Sequence, residues 1–198
     1  MNILGAIIAG GTSSRMGREK AFLDIGGVPL IERVASRLRF QVDAMVLNAN
    51  GEQARFRGLG CPVVADELPN MATPLAGIHA VLRYAHARKF KAVVTVPSDT
   101  PFLPLDLVPR LAEAGSHKGA AIAMTLGQPH YLTGIWATAL LPALERRMRE
   151  GDLRRVRDFA AATQAERVVW SDQPHDPFFN INTAEDLKLA LGIAGADA

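Results

Sequence analysis

One cysteine, Cys61, stands alone in the chain. That rules out an internal disulfide and fits a reducing compartment, where a lone thiol is an ordinary core residue. No apolar stretch approaches the roughly 18 residues that a membrane span needs, and the amino-terminal stretch lacks the basic-then-apolar order of a secretory leader. A cytoplasmic protein with no membrane contact is therefore expected. Charge of one sign is also missing: 22 Lys and Arg face 20 Asp and Glu, a net +2 that gives no field to draw in nucleic acid or an acidic membrane. The only basic cluster, Arg146, Arg147 and Arg149 with Arg154, Arg155 and Arg157, has no aromatic platform beside it. It reads as a solvated helix face, with steering of an anionic acceptor or docking of a partner protein left open. The histidines show no H-E-x-x-H spacing, one thiol cannot build a zinc site, and no serine occupies a G-x-S-x-G elbow. Hydrolase chemistry has little support. Neither a repeat nor a low-complexity linker interrupts the 198 residues, 48% of them hydrophobic, so one domain over residues 1–191 is expected, with a flexible tail from Gly192 to Ala198.

What is present begins at once. The apolar run Ile3-Leu4-Gly5-Ala6-Ile7-Ile8-Ala9 is too short for an ordinary helix and stops at Gly10-Gly11, as a buried parallel strand would. Glycines let backbone N–H groups approach an anion without a Cβ in the way, and successive N–H groups form a concave nest for phosphate oxygens. Arg15 then adds a planar cationic fork and Lys20 a point charge. Two other phosphate loops fail by counting. Gly17 is followed by Arg18, which breaks G-x-x-x-x-G-K-[ST], and the adjacent Gly10 and Gly11 break G-x-G-x-x-G.

The pattern of strand, polar turn and helix then recurs. Pro29 opens a helical stripe of Leu30, Ile31, Val34 and Leu38; Ala44–Leu47 reads as a second strand before Asn48-Ala49-Asn50-Gly51, and Pro62–Ala65 as a third, ending at Asp66. After a loop holding Pro69, Asn70 and Pro74, a helix from about Leu75 to Ala87 is expected. A strand at Ala92–Val96 follows, ending in Pro97-Ser98-Asp99-Thr100-Pro101, and then a helix from Leu105 to Ala114. Such alternation predicts a Rossmann-like three-layer α/β/α fold with a mostly parallel central sheet. Beyond it, Ala120–Thr125 and His130–Ile135 read as a hairpin across Leu126-Gly127-Gln128-Pro129. Helices are expected at Ala137–Arg149 and Leu153–Ala162, a strand at Arg167–Trp170, and a last helix from Thr183 with Asp186 at the capping-box position. In open α/β sheets ligands bind outside the carboxyl ends of the strands, which is where Gly10, Asn48, Asp66 and Asp99 fall.

Asp99 is the candidate metal ligand. A polyphosphate bound at the Gly10-Gly11 turn would need a hard cation, Mg2+ takes one or two protein carboxylates with phosphate and water, and Pro97 and Pro101 stiffen the flanks. The alternative is an aspartate capping the next helix. Asn48 and Asp66 carry oxygens suited to accepting from N–H or hydroxyl groups of a ligand, although as isolated residues they suit an ordinary turn equally.

The stretch A-G-G-x-S-x-R-M-G-x-E-K, Ala9 to Lys20, resembles the signature loop of nucleotidyltransferases, and within them that of the molybdenum cofactor guanylyltransferases, with Ile8 for the family's leucine and Glu19 for its aspartate. Pro97–Pro101, Asn48-Ala49-Asn50, Pro74-Leu75-Ala76-Gly77 and Phe179-Asn180-Ile181-Asn182-Thr183 resemble further family segments in the same order, and Gly127–His130 with Gly134–Trp136 a less specific one. The resemblance implies transfer of GMP from GTP to the phosphate of Mo-molybdopterin with Mg2+. It makes Arg15, Lys20 and Asp99 catalytic, with Asp99 on the metal. It puts GTP against Ile8, Ala9, Gly10, Gly11, Lys20, Asn48, Asp66, Gly77 and Asp99, and the acceptor against Asn180 and Asn182. Pterin-delivering or molybdoenzyme-chaperone proteins are partners of the kind implied. The alternatives are CTP with molybdopterin, GTP with a cobamide precursor, and a nucleotide-binding module without turnover.

Overall fold

The computed structural model describes residues 2–9, 20–51, 53–68, 71 and 73–196. Its centre is β1 (Ile3–Ile8), buried along its whole length because both of its faces are covered. Ile3 and Ile7 point into one core with α1 (Leu30–Arg39) and α3 (Leu107–Ala114). Leu4, Ala6 and Ile8 point into a second core with α2 (Pro74–Ala87), α4 (Leu141–Arg149) and α5 (Val156–Ala162). A strand sandwiched this way reads as an uninterrupted apolar run, which is why it shows so plainly in the sequence. Each fully buried Leu, Ile or Val side chain contributes roughly 1.5–3 kcal/mol, and α2 alone sets Leu75, Ile78, Val81 and Leu82 into the second core with no exposure.

The remaining strands are β4 (Ala44–Asn48), β5 (Val63–Val64), β6 (Ala92–Pro97), β7 (Ala120–Thr125), β8 (Gln128–Ala137) and β9 (Glu166–Val169). With β1 they form a seven-stranded sheet in the order β5-β4-β1-β6-β8-β7-β9, in which all but β8 run the same way. The expected hairpin is β7 and β8, with a tighter turn than foreseen, because β8 already begins at Gln128. Its register slips. Ile122 pairs with Gly134 but Ala123 pairs with His130, so Tyr131, Leu132 and Thr133 bulge out of the ladder. Bulges re-aim side chains beside functional sites, and this one lies at the rim where the parallel strands end.

Several boundaries differ from the sequence expectations. Ala137 ends β8 rather than opening a helix, with α4 starting only at Leu141; Leu153 is buried ahead of α5, which begins at Val156. A small antiparallel pair, β2 (Asp24–Ile25) and β3 (Val28–Pro29), was not foreseen. It turns on Gly26 and Gly27, at φ of 61° and 82°, which L side chains disfavour. The frayed tail expected over Gly192–Ala198 is corrected as far as Ala196: α6 (Ala184–Ala196) continues past Gly192, because Ala190 and Ala194 are buried against Ile25, Leu30, Phe102 and Ile181, while residues 197 and 198 lie outside the described residues. Among the described residues no helix is long and apolar enough to cross a membrane.

Candidate active site

The ladder brings the expected rim together. Ile8 at the end of β1 lies level with Asn48 of β4 on one side and Pro97 of β6 on the other, and Asn48 lies level with Val64 of β5. Past the strands the chain stays stitched: Ala9 N donates to Asn48 O (2.8 Å), Ala49 N to Val64 O (3.2 Å) and Ser98 N to Ile8 O (3.2 Å). Four segments distant in sequence thus end on one edge. Gly10, Gly11 and Arg15 lie outside the described residues.

Asp99 follows β6 in a turn well ahead of α3, so the reading of it as a helix cap is set aside. Its Oδ2 is paired with Lys20 Nζ, which also donates to Asn182 Oδ1 at 2.6 Å, while its Oδ1 is buried with no hydrogen-bond partner. Asp99 O accepts from Ile181 N (3.1 Å), holding the late Asn180–Asn182 stretch against the metal-ligand candidate. In that stretch Ile181 is fully buried and the two asparagines are exposed, the alternation of an extended segment. Asn182 is further fixed by the expected capping box. Asp186 Oδ2 accepts from the N–H of Asn182 (2.7 Å) and of Thr183 (2.8 Å), and Asp186 N donates to Thr183 Oγ1 (3.1 Å). The backbone hydrogen bond from Asn182 is the main reason the Asp186 carboxyl sits below its ordinary range. A buried carboxylate oxygen without a partner is rare, and in Asp99 it is the atom that a cation would satisfy.

The guanosine candidates form a second group. Asp66 is clamped between two amides: Asn48 Nδ2 donates to Oδ1 (2.8 Å), Asn50 Nδ2 to Oδ2 (2.8 Å), and Asp66 N returns a bond to Asn50 Oδ1 (2.9 Å). Asn48 also donates to Val64 O (3.1 Å) and is fully enclosed. It is enclosed behind Asp66, which is half-buried. Asn50 is a member of the group that the sequence reading passed over, although asparagines two apart on an extended segment was the signal for it. Gly77 belongs to the same packing. A Cβ there would sit 2.2 Å from Asn48 Oδ1, so α2 can lie this close to β4 only with glycine. Gly77→Ala is expected to push Asn48 off Asp66, costing about 1–3 kcal/mol of stability, a fall in melting temperature of several degrees, together with a higher KM for GTP. A variant with unchanged melting and unchanged KM would show that Asn48 has slack.

Between Asp99 and the β8 bulge, a cleft of about 390 Å³ is lined by residues from both. Ile8, Ala9, Ser98 and Asp99, at and just past the ends of β1 and β6, line it together with His130, Tyr131, Phe178 and Asn180. The basic cluster is elsewhere: Arg146, Arg149, Arg154, Arg155 and Arg157 are exposed on α4, α5 and the loop between them.

The family model of the MobA-like NTP transferase domain matches residues 5–168. A molybdenum cofactor guanylyltransferase of Cereibacter sphaeroides is 44% identical over 200 residues, covering 100% of both chains. That of Nitrobacter hamburgensis is 38% identical, covering 98% of this chain and 95% of its own. The chain belongs to the molybdenum cofactor guanylyltransferase family. Among solved structures, the molybdopterin-guanine dinucleotide biosynthesis protein A of Archaeoglobus fulgidus superposes with a TM-score of 0.72 at 26% identity, covering 98% of this chain and 99% of that one. Membership of the guanylyltransferases makes this chain a nucleotidyltransferase.

Proposed function

We propose that the chain transfers GMP from GTP to the terminal phosphate of Mo-molybdopterin in the cytoplasm, releasing pyrophosphate, with Mg2+ as cofactor. The observation that carries this reading is the junction of Lys20, Asp99 and Asn182, with Asp99 Oδ1 left unpartnered. A lysine has three donors. Two of them are engaged here, and the third remains for a phosphate oxygen. Asp99 suits Mg2+ because that ion needs only one or two protein carboxylates when phosphates complete its shell. Bound there, Mg2+ supplies charge neutralisation of the triphosphate.

The acceptor phosphate is already an anion, so its oxygen attacks the α-phosphorus without a strong general base. A new P–O bond forms, the α–β anhydride bond breaks, and the electron pair leaves with pyrophosphate. The protein's task is then positioning and charge stabilisation. Asp66, held by Asn48 and Asn50, orients the guanosine. Lys20 meets the phosphates, the resemblance of the Ala9–Lys20 stretch assigns Arg15, Gly10 and Gly11 to the same triphosphate, and Asn180 meets the acceptor. A pterin-delivering or molybdoenzyme-chaperone protein would bring and remove the cofactor.

Pyrophosphate release measured with each of the four nucleoside triphosphates, with Mg2+ and with Mo-molybdopterin present or omitted, tests this directly. Release with GTP that requires the acceptor is expected. Release with CTP instead would assign the cytidylyl reaction, and no release with any nucleotide would leave a binding module.

A further inference from the structure

His130 lies in the same cleft as Asp99, on the wall that the β8 bulge creates. One ring nitrogen is anchored: Nε2 is 2.7 Å from Thr125 Oγ1. The ring leans on Phe178, centroids 4.8 Å apart, and Phe178 is braced edge-on by Trp170 at 5.4 Å. Trp170 is tied in turn, donating from Nε1 to Asp106 (2.9 Å) beneath the guanidinium of Arg110, 4.2 Å from its ring. The imidazole is therefore fixed in orientation through one nitrogen and one face. Nδ1, by contrast, has no hydrogen-bond partner among the described residues, and the half-buried residue lines the cleft.

We propose that His130 is an acceptor-binding residue, its Nδ1 hydrogen-bonding to a neutral N–H, ring-nitrogen or hydroxyl edge of the pterin phosphate and so fixing that molecule's position in the cleft. The proposal rests on the guanylyl-transfer reading and adds to it a side chain that neither the loop nor the late asparagines include. Three observations support it. The cleft is lined by Asp99, the partner of Lys20 and so suited to the phosphate region, and also by His130, which carries no fixed charge and suits the rest of the acceptor. Thr125 can either donate or accept, so the anchored ring can present Nδ1 in either role. Finally, burial lowers the His130 pKa below the ordinary histidine value, against the opposing pull of Asp176. Burial therefore favours the neutral ring, which suits an uncharged edge rather than a phosphate.

The test exploits the reach of two amides. Asparagine at position 130 places its amide near the Nδ1 position, and glutamine places its amide near Nε2. Steady-state transfer from saturating GTP and Mg2+ to Mo-molybdopterin is measured for the wild type, His130→Ala, His130→Asn and His130→Gln, with the KM for GTP and the melting temperature of each. His130→Ala should raise the acceptor KM about tenfold, the size of one lost hydrogen bond, with the KM for GTP and kcat held within a factor of about two. His130→Asn should recover most of that loss and His130→Gln should not. Recovery by glutamine and not by asparagine would mean that only the Thr125 bond matters and would overturn the proposal, as would an unchanged acceptor KM in a folded His130→Ala. If His130→Ala does not fold, the asparagine and glutamine pair decides. A wild type that moves no GMP to this acceptor would sink the functional reading and the role of His130 with it. A working wild type with an indifferent position 130 would sink the latter alone.

Discussion

Asparagine in place of Asp99 is expected to lower guanylyl transfer by about a thousandfold, at the upper end of what removing one preorganised electrostatic group does. The substitution keeps the size of the side chain, so the turn after β6 and the bond from Ile181 N to the residue 99 carbonyl should survive. What disappears is charge. The carboxylate proposed to hold Mg2+ would be gone, and Lys20, whose side chain is only 13% exposed, would keep its charge with a neutral partner. A stability cost is therefore expected beside the kinetic one, and the melting temperature has to be read separately from turnover. Turnover within tenfold of wild type, in a folded variant, would remove Asp99 from the reaction.

Lys20→Ala is the second large effect, with a loss of about 10²–10³ in kcat if its charge stabilises the departing pyrophosphate. The variant also removes the partner of Asp99 Oδ2 and the donor to Asn182 Oδ1, the link that spans the chain from its first turn to its last helix. A rise in the KM for GTP with kcat intact would instead mark Lys20 as a residue that binds substrate and transition state alike. Arginine is not expected to rescue it. Its planar fork cannot place one compact charge between a carboxylate, an amide and a phosphate as an ammonium does. Because Lys20 and Asp99 are in contact, the double variant should lose less than the product of the two single losses.

The sequence disclosed the parts of this arrangement that follow from one-dimensional regularities. Strands β1, β4 and β6 are apolar runs because helices cover both sides of the sheet, and polar residues immediately after such runs fall on the carboxyl edge of a parallel sheet. Asn48, Asp66 and Asp99 could be placed on that edge for this reason alone. The contacts that give them their roles were not legible. Asn48 looks like a ligand from its position, yet the closeness of Gly77 and the pairing with Asp66 enclose it, and that depends on how α2 packs on β4. The bulge at Tyr131–Thr133 arises from register between β7 and β8, which a hairpin's local pattern does not contain. Gly192-Ile193-Ala194-Gly195 has the composition of a tail, but Ala194 is held in the core beside Ile25 and Leu30, and tertiary burial outweighs the poor helix propensity of glycine. Conversely Leu189 and Leu191, apolar in a terminal helix, are exposed while Ala190 between them is buried.

The most direct measurement is a crystal structure with a non-hydrolysable GTP analogue and Mn2+, located by its anomalous signal. The account predicts the metal on Asp99 Oδ1, the triphosphate at Lys20 and the guanosine against Asp66. A metal and triphosphate bound away from the ends of β1 and β6, or a guanosine that does not approach Asp66, would contradict it.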